Sequence, residues 1–359
     1  MNDYLNVVEV EAAMVSLRNA NQQLCSVIQL PSRSAEERTS HALRISTAPE
    51  AKHETLVVTA GLHACEWGTS DAAIAFATDL LAAYTSPAGL RYGGKEFSKE
   101  AIRAFLESRD LIVFPLVNPD GRAHSQANDA QNRVAGWRKN RRYLKGRGRS
   151  ALYGVDVNRN FETAWEFERL FIADTAHVSD NPSEDDYHGP EPFSEAESRN
   201  VRSLLDQYPT VRWLVDVHGP AQCIQYNWGI DQTQSLEQGK NFRNVNWDRL
   251  RGERNDAYGE HKPSEDADLA QRLAERMSAA VLAVRGSRWP AGPAFDTLYA
   301  LSGALIDYAY ARQFAQPPLP AIHSFVIEHG GSYHPAWPEM APVMGEICAA
   351  LLELCVAVT

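Results

Sequence analysis

Apolar and polar positions along this chain follow two rhythms. Short, nearly continuous apolar runs, "HALRIS" (41–46), "TLVVTA" (55–60), "DLIVFPLV" (110–117), "VRWLVDV" (211–217) and "HSFVIE" (323–328), have the length and branched content of buried strands. Between them, residues 10–24, 69–84, 194–207, 265–285 and 341–356 carry apolar side chains at helical spacing. Ser194 with Glu197 three residues on reads as a capping box that starts the third of these helices. The alternation, without internal repeat or linker-like segment, predicts an α/β sheet with helices on its faces in a single domain over 1–359. The polar, turn-rich stretch 229–264 is expected to be an elaborated surface loop bordering a site.

Composition narrows the function classes. Apolar residues make up 44% and charged residues 23%, an ordinary globular balance. The formal net charge is −11 and the pI about 5.5. Non-specific nucleic-acid binding needs a net basic surface that displaces counterions, so no nucleic-acid partner is expected. No apolar run approaches the roughly 18 residues of a membrane span, so no membrane partner is expected. The amino terminus lacks a basic segment followed by an apolar stretch; no signal peptide is read, and a cytoplasmic location is expected. One segment breaks the acidic balance. Residues 133–150 hold eight Lys or Arg and no acid, a local attractor for anions. The five cysteines are scattered and form no CxxC, which argues against a disulfide framework and a cysteine-rich zinc module. Cys348 and Cys355 fall in an apolar helix pattern and read as core thiols.

Candidate chemistry collects at strand ends. His63 follows the strand 55–60, Asn118 and Asp120 follow 110–117, His218 follows 211–217 and Glu328 ends 323–328. Open α/β sheets bind ligands outside the carboxyl ends of their strands, so these groups are expected on one rim. His63 and Glu66 are three apart, and on one helical turn both reach one ion. His-x-x-Glu alone is common on solvated helices. His218, at a buried strand end, supplies a third ligand, against the alternative of a core histidine bonded to a backbone carbonyl. Cys65, at i+2, points away from that face and is expected to be neither ligand nor nucleophile.

Nine short motifs then stand in order: "ERTSHALRIS", "GLHACEWGTS", "NPDG", "GWRKNRR", "GVDVNRNF", "YHGPEPFSEAES", "DVHG", "TLYALSGALIDYAY" and "SFVIEHG". Together they resemble the M14 zinc carboxypeptidases, the carboxypeptidase A-like metallopeptidases, over nearly the whole chain. The resemblance implies a mixed, mostly parallel twisted sheet with helices on both faces. It implies one Zn²⁺ per chain on His63, Glu66 and His218, with Glu328 activating water and Arg138 polarising the scissile carbonyl. It implies that Asn158 and Arg159 grip the terminal carboxylate of a peptide or peptide-like substrate and that Tyr299 closes over the bound residue. Elementary chemistry asks for the same types: a carboxylate to move the proton, a fixed cation for the oxyanion and a planar guanidinium for the carboxylate. Ile306 is placed at the floor of the side-chain pocket, which suits an apolar or aromatic C-terminal residue, and Leu301 is expected to narrow it. The chain departs from the family at Cys65, where arginine is frequent, and at Gly219-Pro220, where serine and tyrosine are frequent. The family-like pattern starts near Tyr4 with no inhibitory prodomain before it, so activity as translated is expected. Two other readings stay open: an amidohydrolase of side-chain or cell-wall amides, and a non-catalytic zinc-dependent binding protein, which the retention of Glu328 opposes.

Overall fold

All five expected strands form, and three of them, those ending near His63, His218 and Glu328, lead into one site. The computed structural model describes residues 3–129, 136–145, 152–315 and 317–359. Among these residues eight strands make one sheet: β1 (Cys25–Gln29), β2 (His41–Ile45), β3 (Glu54–Ala60), β4 (Arg109–Phe114), β5 (Val211–His218), β6 (Cys223–Tyr226), β7 (Ala291–Pro293) and β8 (His323–Glu328). Their spatial order is β1-β2-β4-β3-β5-β8-β6-β7. The centre, β4-β3-β5-β8, is parallel, with antiparallel pairing of β1 to β2, β2 to β4 and β6 to β8, and parallel pairing of β6 to β7. The sheet is therefore mixed and mostly parallel.

Strand alternation divides the core. Leu56 and Val58 of β3, Val215 and Val217 of β5, and Ile224 of β6 face a cluster shared with α1 (Val7–Ala20), α2 (Trp67–Thr85), α3 (Lys99–Ser108), α6 (Ser264–Arg285) and α8 (Trp337–Ala357). Val57 and Leu214 face the opposite cluster, with α5 (Ala196–Gln207) and α7 (Leu305–Ala311). A further helix, α4 (Pro119–Asp129), follows β4. α8 has the length and composition of a membrane span, and 67% of its apolar window is buried inside the molecule; it packs on α2 and α6.

Several boundaries differ from expectation. The first helix spans Val7–Ala20 instead of 10–24, because Asn6 caps it and closes a capping box with Glu9. The capping box expected at Ser194 and Glu197 does not form. α5 has Glu195 at its N-cap, without a side-chain cap. The Ser194 hydroxyl donates to Glu195 Oε1, and the Glu197 carboxylate accepts from Asn140, so a buried polar network takes both groups. The strand read over 110–117 stops at Phe114, ahead of Pro115, which has no N–H for the ladder. Segment 229–264 is mostly loop, with a two-residue parallel pair at Thr233–Gln234 and Glu260–His261. Its Arg254 donates to the carbonyls of Phe295 and Leu298, which buttresses the stretch that carries Tyr299.

Candidate active site

Gly61, at φ +69°, turns the chain out of β3. His63 and Glu66 lie in the turn that follows, so the expectation that they share a helical turn is corrected: α2 begins only at Trp67. Glu66 occupies the N-cap position, yet its side chain caps nothing. Its carboxylate bridges two imidazoles instead, at 2.7 Å from His63 Nδ1 and 3.0 Å from His218 Nδ1. The two Nδ1 atoms are 3.0 Å apart. One ligand atom from each of the three residues lies within 4.8 Å of the others, and all three residues are buried. The outer nitrogens face carboxylates: His218 Nε2 is 2.6 Å from Asp216 Oδ2 and His63 Nε2 is 3.4 Å from Asp156 Oδ1. Such partners fix ring orientation and raise ligand basicity. Burial pushes the Glu66 carboxyl up, but the two imidazoles outweigh it and hold the group well below the usual carboxylate range. Burial lowers His218, but Asp216 and Glu66 outweigh it and hold its pKa well above the ordinary histidine value. Two imidazole nitrogens and a carboxylate oxygen, buried and braced, fit a zinc ion with one position left open.

Sheet register places the next groups. On the face opposite the large helical cluster, His218 of β5 stands beside Glu328 of β8, and Glu328 stands beside Cys223 of β6. Two residues back, Asp216, Val326 and Gln225 make a second row in the same order. Burial lifts the Glu328 carboxyl to about 7 with help from Glu66, against the lowering effect of His218 and Arg138.

The three expected ligands His63, Glu66 and His218, together with Glu328, Arg138, Asn158, Arg159, Tyr299 and Ile306, line one cavity of about 180 Å³. Arg138 Nε donates to Asp156 Oδ2 at 2.7 Å. Arg159 donates from Nε to the His177 carbonyl at 2.6 Å and from Nη1 to the Asn158 carbonyl at 2.8 Å. Tyr299 stacks on the His177 ring, 3.9 Å between centroids, so Arg159 and Tyr299 are seated on the same residue. Asn158 Oδ1 accepts the Leu305 N–H, tying this turn to the start of α7 and so to Ile306. Asn118 and Asp120 are not on this rim. Asn118 braces the Leu62 carbonyl and the Gly121 N–H, and Asp120 accepts from Ser34, Glu36 and Arg38. Of the basic segment 133–150, residues 133–135 and 146–150 lie outside the described residues.

The zinc carboxypeptidase family model (Peptidase_M14) matches residues 10–336. The chain belongs to this family. Curated relatives include carboxypeptidase A2 of Rattus norvegicus, 27% identical over 308 residues, which cover 86% of this chain and 59% of that protein. Mouse carboxypeptidase A4 is 26% identical over 275 residues, 77% of this chain and 52% of that one. Carboxypeptidase B of Astacus astacus is 28% identical and covered to 81%. The chain thus spans between half and three-fifths of the length of the A-type relatives named here. In fold it is similar to bovine thrombin-activatable fibrinolysis inhibitor, solved with tick carboxypeptidase inhibitor, at a TM-score of 0.70 and 19% identity, over 99% of this chain and 98% of that one. Carboxypeptidase A of Helicoverpa armigera gives 0.68 and 21%, over 99% and 75%.

The two departures from the family pattern sit in close-packed surroundings. A Cβ at Gly219 would lie 2.9 Å from the His329 ring, so a side chain there would require that buried ring to shift. At Cys65, the loop after β8 reaches the backbone: His334 Nδ1 is 3.1 Å from the Cys65 carbonyl oxygen, and the His334 ring stacks on Trp67 at 4.2 Å. The Cys65 thiol is buried, and its pKa is raised chiefly by that burial, which opposes a nucleophilic role. Sequence reading missed Asp156, Asp216 and Tyr333. Asp216 had a signal, since i and i+2 of a strand share a face with His218. Asp156 stood two residues before Asn158 in "GVDVNRNF". Tyr333, half exposed at the cavity mouth, had none.

Proposed function

We infer that this chain is a zinc metallocarboxypeptidase that hydrolyses the last peptide bond of peptides with a free C-terminal carboxylate and prefers apolar or aromatic last residues. The observation that carries this reading is the convergence of a three-ligand metal site, the carboxylate of Glu328 and the guanidinium groups of Arg138 and Arg159 in one cavity. One zinc per chain would be held by His63, Glu66 and His218. The ion would polarise the scissile carbonyl and acidify a water molecule. Glu328, ionised, takes the proton from that water and passes it to the leaving amine. Arg138, locked by Asp156, presents its terminal amines to the oxyanion. Arg159 binds the terminal carboxylate through Nη2, which has no protein partner among the described residues, with Asn158 beside it. Tyr299 covers the bound residue, and Ile306, Leu301 and Val326 enclose its side chain. The full set, with Glu328 present, supports an enzyme over a zinc-dependent binder. The test is incubation of the purified protein with a mixed peptide library, with and without a chelator, read by mass spectrometry. Products shortened by one C-terminal residue, and lost with the chelator, are expected. Cleavage only of internal bonds or of side-chain amides would reject the reading.

A further inference from the structure

The substrate cavity is not apolar throughout. Gln225, on β6, lines it together with Ile306, Leu301 and Val326, and is only 2% exposed. Its neighbours Ile224 and Tyr226 turn to the helical cluster on the other face, which fixes the Gln225 side chain on the site face. Register puts it beside Val326, one row behind the row of His218, Glu328 and Cys223. Two residues along a strand span roughly 7 Å, about the reach of a tyrosine side chain from Cα to hydroxyl. The amide is poorly satisfied. Nε2 donates only to Cys223 Sγ, at 3.4 Å, a weak acceptor. Oε1 accepts no hydrogen bond from any described residue. A glutamine that lines the substrate cavity with only a weak sulfur partner has hydrogen-bonding capacity to offer a ligand. Either end of the amide can turn inward, because sulfur tolerates both a donor and an acceptor.

Resting on the carboxypeptidase reading, we propose that Gln225 is a specificity-determining residue that selects a C-terminal side chain with an apolar stem and a neutral hydrogen-bonding tip, of which tyrosine is the probe. Ile306, Leu301 and Val326 take the stem, and the Gln225 amide takes the tip. A site built to bond a hydroxyl discriminates against the analogue that lacks it, because its own polar group is then left unpaired.

The experiment compares kcat/KM for two peptides that differ only in ending with Tyr or Phe, on the wild type, Gln225→Leu and Gln225→Met. The wild type should favour the Tyr peptide by about 3- to 10-fold, the worth of one neutral hydrogen bond. In both variants the ratio should fall to about one or below, mainly through the Tyr peptide. Equal rates in the wild type, or an unchanged ratio in a folded variant, overturn the assignment while leaving the carboxypeptidase reading intact. Failure of the wild type to cleave either peptide rejects that reading and this assignment with it. Should neither variant fold, product inhibition of the wild type decides: free tyrosine must inhibit more strongly than free phenylalanine, and equal constants overturn the proposal.

Discussion

At the scale of single residues the account turns on Glu328. Its carboxyl sits at about 7 because burial disfavours the charge, and a base works only when ionised. Activity should therefore rise with pH. A cation beside Glu66 draws the value back towards the ordinary carboxylate range, so the acid limb of kcat/KM is expected between 4.5 and about 7. Glu328→Gln should keep the metal and lose about 10²- to 10⁴-fold in kcat; retained turnover with metal intact would move the base elsewhere. The same shift fixes a sign for stability. A carboxyl raised in the fold costs stability as pH climbs above its unfolded value, and the cost is complete above about 7. Metal-free Glu328→Gln should thus melt higher than metal-free wild type at pH 8 but not at pH 4. Asp216 acts through His218. Asp216→Asn is expected to weaken zinc binding by about 10- to 100-fold, measured by competition with a chelator; an unchanged affinity would mean that the 2.6 Å contact does not orient the ligand. Ile306 belongs to specificity. Burying an apolar side chain yields about 1.5–3 kcal/mol, whereas a buried unpaired ammonium is strongly disfavoured. The wild type should prefer peptides ending in Phe over Lys, and Ile306→Asp should reverse the order; a ratio unchanged by the substitution removes Ile306 from the pocket floor.

At the scale of elements, function depends on how separate segments are seated on one another. Gly303 holds φ +64°, and a Cβ there would come within 2.2 Å of the Arg159 carbonyl oxygen and 3.0 Å of that of Phe161. Its own carbonyl accepts the Phe161 N–H, and its N–H donates to the Thr163 carbonyl. This glycine lets the start of α7, with Ile306, lie directly on the segment that carries Arg159. Backbone cannot retreat as a flexible side chain can. Gly303→Ala should cost about 2 kcal/mol or more in chemical denaturation and raise KM, and wild-type values for both would show that the two segments need not touch. The same scale explains what could be read from sequence. Short, nearly continuous apolar runs such as "TLVVTA" and "VRWLVDV" announced β3 and β5, since strands buried on both faces show little polar alternation to blur them. β6 ("CIQY") and β7 ("AGP") were silent: one is four residues with a polar site residue inside, the other is mostly Gly and Pro on an edge. The Ser194–Glu197 pair misled because local capping chemistry lost to a tertiary network built on Asn160 and Asn140. His63, Glu66 and His218 were legible as ligands because metal chemistry admits few residue types. Gln225 was not, because only register shows which face a glutamine takes.

At the scale of the molecule, an acidic protein brings two arginines together in the cavity where the proposed reaction needs a terminal carboxylate bound. The net charge is −11, yet Arg138 and Arg159 meet in one cavity at the carboxyl ends of β3, β5 and β8, with Asp156 within 4.0 Å of both to hold them. The large helical cluster behind the sheet supplies rigidity, and the opposite cluster, with α5 and α7, supports the walls of the site. On the proposed function, this arrangement serves to recognise a chain end. The most direct measurement is kcat/KM for one peptide supplied as the free acid and as its C-terminal amide, each with and without a chelator. The account predicts that the free acid loses its last residue, that the amide is cleaved at least about 100-fold more slowly because Arg159 has no carboxylate to bind, and that the chelator abolishes the reaction. Equal cleavage of acid and amide, or cleavage untouched by the chelator, would contradict it.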